Sequence, residues 1–148
     1  MESNNIEQFN VVVGLVFARC YLSFPIRETI YFSELGDELD KIKGSDEEGF
    51  LDLGSESNKF AEQSVKWLSE SGYLYGYVER TDTQKTTITL SPKTLEVMNK
   101  ELISLKENDV SPTIGETLVT NVKKQSKELI LFATKEALKS GVKMFIGS

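Results

Sequence analysis

The middle of the chain switches between two hydrophobic periodicities. Residues 58–71 carry apolar side chains at helical spacing with polar side chains between them, and Gly72 follows where a helix would end. In residues 73–80 and 85–90, large and small side chains alternate instead, as is typical of the strands of a β-ribbon. Residues 91–105 begin with a serine and a proline, which suit a helix start. This stretch therefore predicts a helix, a two-stranded ribbon and a second helix.

The amino-terminal third predicts two more helices and one extended segment. Residues 5–24 place apolar side chains on one helical face, and the proline that follows favours a helix end after about 18 residues. Residues 28–32 are short and extended, and residues 33–43 form a second amphipathic helix. The interval 43–57 contains three glycines and five acidic residues. It predicts a loop with one hydrophobic anchor, or with a short strand.

The central stretch resembles the winged-helix superfamily. The resemblance is carried by the segment WLSESGYL at the end of the 58–71 helix, and by ITLSPKTLEVM, which runs from the second strand into the next helix. It implies a mainly α protein with a small β-ribbon (α+β), in which a winged-helix domain over residues 1–108 precedes a C-terminal helical appendage over residues 109–148. One feature departs from a DNA-binding helix-turn-helix, because about 15 residues replace its usual turn of three or four.

The appendage predicts an amphipathic helix with a basic polar face. A second serine–proline pair, Ser111-Pro112, would begin it, and Gln125-Ser126 interrupts its apolar stripe. The stripe contains Leu118, Val122, Leu129, Ala133 and Ala137, broadened by Ile130, Phe132 and Leu138. We expect this helix to pack back on the domain or to pair with a second copy in a homodimer. Docking in a partner's groove and lying on an anionic membrane surface are the alternatives. Leu129 and Phe132 are predicted contact residues.

The net charge of −6 conceals a segregation of charge. Residues 1–110 carry 11 lysines and arginines against 20 acidic residues, a net charge of −9, whereas residues 111–148 carry six lysines against three glutamates, a net charge of +3. Such a charge asymmetry influences which partners a protein binds rather than which fold it adopts. The longest nearly apolar run, residues 11–18, is too short to span a bilayer. No signal peptide is expected, so we predict a cytoplasmic protein without stable membrane insertion.

The residue inventory favours a protein that is not an enzyme. The chain has no histidine, which excludes Ser-His-Asp and Cys-His arrangements. Its one cysteine, Cys20, lies on an apolar face and is predicted to be a small buried hydrophobic residue. No glycine-rich loop precedes a Lys-Ser or Lys-Thr pair. The acidic clusters do not match a calcium-binding loop. We therefore expect no cofactor and no metal.

DNA binding is the function that the winged-helix resemblance suggests. In that hypothesis the 58–71 helix enters the major groove and the wing at residues 79–86 holds phosphates. The candidate contact residues are Lys59, Gln63, Lys66, Arg80 and Lys85. The charge opposes this function, because residues 28–56 carry ten acidic residues against two lysines. Phosphate binding depends on basic side chains, so lysines of the C-terminal appendage or of a dimer mate would have to supply the positive charge.

Protein binding is the function that we rank first. If Leu74 and Val78 face the core with Ile88 and Leu90, three tyrosines share the opposite face of the ribbon. These are Tyr73, Tyr75 and Tyr77, and aromatic side chains are enriched at protein interfaces. The alternative is that the tyrosines pack under the C-terminal helix. The sequence thus predicts a regulatory or adaptor module that acts through protein contacts, with a DNA-binding transcriptional regulator as the second hypothesis.

Overall fold

The fold is described here from a computed structural model, which covers residues 5–43, 53–77 and 84–147; for residues 43, 53–55, 77 and 143–147 it describes the backbone alone. The protein is mainly helical with one small antiparallel sheet, as the sequence predicts. In chain order the elements are α1 Asn5–Ser23, β1 Glu28–Tyr31, α2 Phe32–Lys43, α3 Leu53–Glu70, β2 Leu74–Tyr77, β3 Lys85–Leu90, α4 Pro92–Met98, a 3-10 turn Ile103–Leu105, α5 Ile114–Lys124 and α6 Lys127–Gly147.

The three strands pair in the order β1-β3-β2, so the last strand lies in the middle. Leu74 lies opposite Leu90, and both side chains are buried together with Ile88 and Ile30. The predicted inward face of the ribbon is therefore confirmed for the described residues. The predicted Val78 contact lies outside them.

Helix α1 lies at the centre of the hydrophobic core. All residues from Val11 to Ala18 are buried, which requires neighbours around the whole circumference of the helix. Helices α3, α5 and α6 and strand β3 supply those neighbours. The predicted helix of about 18 residues is confirmed as one of 19 residues. The middle of α1 has no solvent-exposed face, so the surrounding elements pack around it on all sides.

Gly14 allows α6 to approach α1 closely. A Cβ atom at this position would lie 2.6 Å from Thr134 Oγ1 and 2.7 Å from Ile130 Cγ2, well inside contact distance. Glycine usually weakens a helix by about 1 kcal/mol relative to alanine. Here that cost is offset by the close packing of two long helices, so the glycine is required by tertiary structure rather than by backbone conformation.

Helix α6 runs parallel to α1. At its start, Lys127 Nζ lies 3.4 Å from a carboxylate oxygen of Glu7 in the first turn of α1. Near its end, Gly141 packs against the ring of Tyr73, which in turn contacts Phe17 in the second half of α1. The carboxyl end of α6 therefore lies toward the carboxyl end of α1.

Arg19 joins α1 to the segment that follows it. Its Nη2 atom donates to Glu28 Oε2 at 2.8 Å, and its Nη1 atom lies 3.8 Å from Glu34 on α2. Burial raises the pKa of the nearby Glu38 carboxyl, and the Arg19 charge opposes that increase. A single guanidinium thus bonds β1 to the central helix and lies within ion-pair distance of α2.

Two predicted helix boundaries are wrong. Helix α3 begins at Leu53, so the end of the predicted 43–57 loop is helical; residues 44–52 lie outside the described residues. Helix α4 ends at Met98 instead of continuing to Leu105. The backbone turns away there because Leu102 N donates to Pro112 O and Ile114 N donates to Lys100 O, at 2.7 and 2.9 Å. These long-range hydrogen bonds replace the next helical turn.

The start of the C-terminal helical segment also differs from the prediction. Thr113, rather than Ser111, is the cap: its hydroxyl accepts from Glu116 N at 3.1 Å while the Glu116 carboxylate accepts from Thr113 N at 3.0 Å. The interruption predicted at Gln125-Ser126 is a break between two helices, since Gln125 adopts a left-handed conformation with φ 57°. Two helices, α5 and α6, replace the single predicted one.

Residues on both sides of the predicted domain boundary contribute to one hydrophobic core. Ile114, Leu118 and Ile130 are buried in the same cluster as Val13 and Leu68. The division into residues 1–108 and 109–148 stays a prediction.

Replacing Gly14 by alanine is expected to destabilise the protein. Overpacking typically costs about 1–3 kcal/mol, which exceeds the roughly 1 kcal/mol of helix propensity that alanine brings. Urea unfolding followed by circular dichroism measures the free energy of unfolding. Thr120→Ala is the matched control, because Thr120 is exposed on α5 and the change alters helix propensity without a tertiary contact. A Gly14→Ala protein as stable as the parent would contradict the close packing of α1 and α6.

Candidate functional site

An apolar groove lies between the first turns of α1 and the exposed face of α3. We call it the aromatic groove; it has a volume of about 420 Å³ and is lined by Asn5, Ile6, Phe9, Phe60, Gln63, Ser64 and Trp67. The α3 residues that line it recur at i, i+3, i+4 and i+7, so they form one continuous helical stripe. Nothing else in the described part of the chain covers Ile6, which is 69% exposed, or Trp67, which is 48% exposed.

A row of aromatic rings fixes the position of Trp67. Phe9 meets Trp67 edge to face at 5.3 Å between ring centroids, and Tyr73 stacks on Trp67 at 6.1 Å. Tyr73 also contacts Phe17, at 6.2 Å. Burial raises the pKa of the Tyr73 hydroxyl. The half-exposed indole is thus held by buried neighbours and presents a preformed apolar surface.

The polar groups of the aromatic groove leave its floor apolar. The Ser64 hydroxyl donates to Phe60 O at 2.9 Å, within its own helix. Gln63 is exposed at the rim. Glu56, one turn before Phe60, and Glu70, one turn after Trp67, are exposed toward the two ends of the stripe. The groove is therefore apolar in the middle and acidic at its ends along α3.

The outer face of the sheet is a second exposed surface. Tyr31, Thr29, Thr87 and Tyr75 point to this face, where Tyr75 is 52% exposed. The hydroxyls of Thr29 and Thr87 lie 3.2 Å apart, and Lys85 Nζ lies 5.8 Å from the centre of the Tyr31 ring. Tyr77 belongs to β2, but its side chain lies outside the described residues.

The predicted patch of three tyrosines is wrong for Tyr73. Its side chain is buried against Trp67, Phe17 and Gly141, so the alternative expectation, packing under the C-terminal helix, describes this residue. The cause is its position before β2, where Gly141 of α6 packs against its ring. Tyr75 alone of the three is described as exposed.

Four of the five predicted DNA-contacting residues lie within the described part of the chain. Lys66 Nζ pairs with Glu62 at 3.3 Å, which neutralises its charge locally, and Gln63 lines the aromatic groove. Lys85 lies over Tyr31 on the sheet, and Arg80 lies outside the described residues. Lys59 is exposed beside a polar cavity of about 550 Å³ lined by Tyr31, Phe32, Ser33, Asn58, Lys59, Glu62 and Gln84. Lys59, Lys66 and Lys85 therefore all adjoin this polar cavity, because Glu62 and Tyr31, the partners of Lys66 and Lys85, also line it.

The predicted contact residues of the C-terminal helix lie on α6. Leu129 and Phe132 are each half-buried, and Phe132 packs against the hydrophobic core. They are on a different element from Tyr75 and from the aromatic groove. Sequence reasoning missed the groove, because it assigned Ile6, Phe9, Phe60 and Trp67 to core stripes. The available signal was that Ile6 and Phe9 begin the first helix, where neighbours that could cover them are fewest.

No protein-family model, curated protein or solved structure matches this chain. Within residues 5–43, 53–77 and 84–147, no three or more histidine, cysteine, aspartate or glutamate side chains are placed to hold a metal ion. In the part of the chain that the structure describes, no helix combines the length and the apolar character needed to cross a membrane. Function is therefore inferred from the exposed surfaces.

The Cys20 thiol is expected to be unreactive in the folded protein. It is fully buried, and burial raises its pKa from 9.0 to about 12, so the nucleophilic thiolate is scarce at pH 8. Ellman's reagent should label native protein slowly and urea-unfolded protein completely. Since the folded pKa is raised, the contribution of Cys20 to stability is present below pH 9 and is lost as the pH rises toward 12. Rapid labelling of native protein would contradict this packing.

Proposed function

We propose that this protein is a non-enzymatic regulatory or adaptor module of the winged-helix type, which acts in the cytoplasm through protein–protein contacts. The single observation that carries the proposal is the aromatic groove, in which a half-exposed tryptophan and an exposed isoleucine flank an apolar floor. Contiguous apolar surface of this kind is characteristic of interaction sites.

The order of elements supports the winged-helix part of the proposal. Helices and strands follow one another as α1-β1-α2-α3-β2-β3, and the third strand pairs between the other two. The segments WLSESGYL and ITLSPKTLEVM fall at the end of α3 and at the junction of β3 with α4. Fold analogy does not identify a partner, since one fold can serve many functions.

The composition of the groove supports protein as the ligand. Tryptophan and other aromatic residues dominate the binding energy of protein interfaces, particularly where they are fixed before binding. Trp67 is fixed between Phe9 and Tyr73, so its contact surface requires little ordering when a partner binds. The spacing of the groove residues along α3 suits an apolar helix laid against it.

A DNA-binding regulator is the second candidate, and one observation favours it. Helix α3 occupies the position of the third helix in the proposed winged-helix core, and Lys59 is exposed near its amino-terminal half. The other described charges of α3 act against it, because Glu56, Glu62 and Glu70 accompany two lysines. A phosphate backbone would meet a helix without net positive charge.

Site-specific photocrosslinking tests the role of the groove. With p-benzoylphenylalanine in place of Ile6, we expect a discrete covalent adduct with one protein, because the probe replaces an apolar side chain at the proposed contact. Ile103 is the matched control, since it is 71% exposed but does not line the groove. A probe at Tyr75 examines the sheet face. Mass spectrometry identifies the adducts, and equal labelling from positions 6 and 103 would contradict a binding groove.

Binding to DNA and heparin at increasing ionic strength tests the second candidate. We expect negligible binding by the whole chain near 0.1 M salt, where the screening length is about 10 Å, because Lys66 is paired and acidic residues surround Lys59. Lys59→Glu should change little. Tight binding with a steep salt dependence that Lys59→Glu abolishes would instead favour the DNA-binding regulator.

A further inference from the structure

Two glutamates extend the stripe of α3 that lines the aromatic groove. Glu56 lies one turn before Phe60. Glu70 lies one turn after Trp67, so both carboxylates are on the same side of the helix as the groove. Their Cα atoms are about 21 Å apart along α3. The apolar floor of the groove thus has one exposed carboxylate beyond each end.

The lysines of α3 do not neutralise these two carboxylates. Lys59 lines the polar cavity, which is a different surface from the groove. Lys66 lies one turn before Glu70, but its Nζ atom is 3.3 Å from a carboxylate oxygen of Glu62. Within the described part of the chain, neither Glu56 nor Glu70 forms an ion pair. The described residues therefore leave a negative charge at each end of the groove.

Glu70 occupies an electrostatically unfavourable position. It is the last residue of α3, and the last turn of this helix contains no basic residue. The carbonyl groups at the carboxyl end of a helix carry partial negative charge, which favours a cation there and disfavours a carboxylate. A basic side chain supplied by a ligand would compensate both the carboxylate and the helix end. This end of the groove therefore favours a cationic ligand group.

The floor between the two carboxylates favours an apolar ligand surface. Ile6 is 69% exposed and Trp67 is 48% exposed, and contact with the Phe9 ring holds the indole in place. The span of about 21 Å between the carboxylate positions equals the length of a helix of about four turns. A helix of this length can cover the floor with one apolar face and place a basic side chain at each end.

We propose that the aromatic groove binds an amphipathic helix of a partner protein, that this helix carries lysine or arginine at both ends of its apolar face, and that Glu56 and Glu70 select it. This rests on the proposed function and names the chemistry of the partner. Charge complementarity fixes the register of a bound helix and discriminates against partners with acidic ends. It applies to either direction of the bound helix, because both ends of the groove carry the same charge.

Trp67 provides a direct readout of binding, because it is the only tryptophan of the chain and it lines the groove. The probes are two synthetic helical peptides of about 20 residues, which lack tryptophan, share one leucine face and end in either lysines or glutamates. Binding should shift the Trp67 emission to shorter wavelength and reduce its quenching by acrylamide. Near 0.1 M salt, where the screening length is about 10 Å, we expect the lysine-ended peptide to bind about tenfold more tightly than the glutamate-ended peptide. This difference should decrease at high salt.

A charge reversal tests the role of the two glutamates. Glu56→Lys/Glu70→Lys should reverse the preference, so that the glutamate-ended peptide binds more tightly. Both positions are exposed, so we expect this variant to fold, which circular dichroism verifies. Glu96→Lys/Glu101→Lys is the matched control, because it changes the net charge equally at exposed positions that do not line the groove. The control should keep the preference for lysine.

The results that contradict a basic-ended helix differ from those that contradict the proposed function. A parent protein that binds neither peptide, or binds both equally, would overturn the proposal, as would a charge-reversed variant that still prefers lysine. Trp67 emission that changes with protein concentration alone would assign the groove to a second copy of the chain and overturn it as well. If the photocrosslinking probe at position 6 captures a protein while the peptides show no charge preference, the adaptor function stands and only the basic-ended helix is excluded.

Discussion

Close contact between α1 and α6 at Gly14 is the constraint on which the structure depends. A side chain there would collide with Thr134 and Ile130, so only glycine lets the two helices lie parallel and in contact. With α6 on one side and α3, α5 and the sheet on others, the middle of α1 is enclosed. Helices α2, α3, α5 and α6 and strands β1 and β3 all contact α1. The C-terminal helices are therefore part of the hydrophobic core and not an addition to its surface.

Periodicity predicted the elements well and their ends poorly, for a physical reason. The α1 stripe, the alternation of Leu74 against Leu90 and the α2 stripe all arise from burial, which leaves a regular pattern in the sequence. Helix α4 ends at Met98 although the helical spacing of apolar residues continues. The backbone leaves the helix because Leu102 N donates to Pro112 O and Lys100 O accepts from Ile114 N. Such long-range pairings have no local signature. Thr113 rather than Ser111 is the cap for a different, local reason: only Thr113 has a glutamate, Glu116, three residues later.

The candidate groove was harder to predict than the fold. An apolar stripe shows which face of a helix avoids water, but not whether a neighbour exists to cover each position. Phe9 and Trp67 shield part of each other's apolar surface from water by contacting one another. Tyr73 completes the row of rings from inside the core. Ile6 is not shielded by these rings and stays exposed to solvent. Similarly, Lys59 and Lys66 look alike in sequence, yet the Glu62 carboxylate neutralises only Lys66. Function at this surface depends on tertiary neighbours that composition does not specify.

The direction of α6 follows from the short connection that joins it to α5. The break at Gln125 reverses the chain after α5, which itself packs against Tyr21 at its start and Gly14 further on. Helix α6 is thereby forced to start beside Glu7 and to end beyond Gly141. The short α5–α6 connection thus brings Gly141 against the ring of Tyr73, which stacks on Trp67, so the direction of α6 also supports the row of rings behind the aromatic groove.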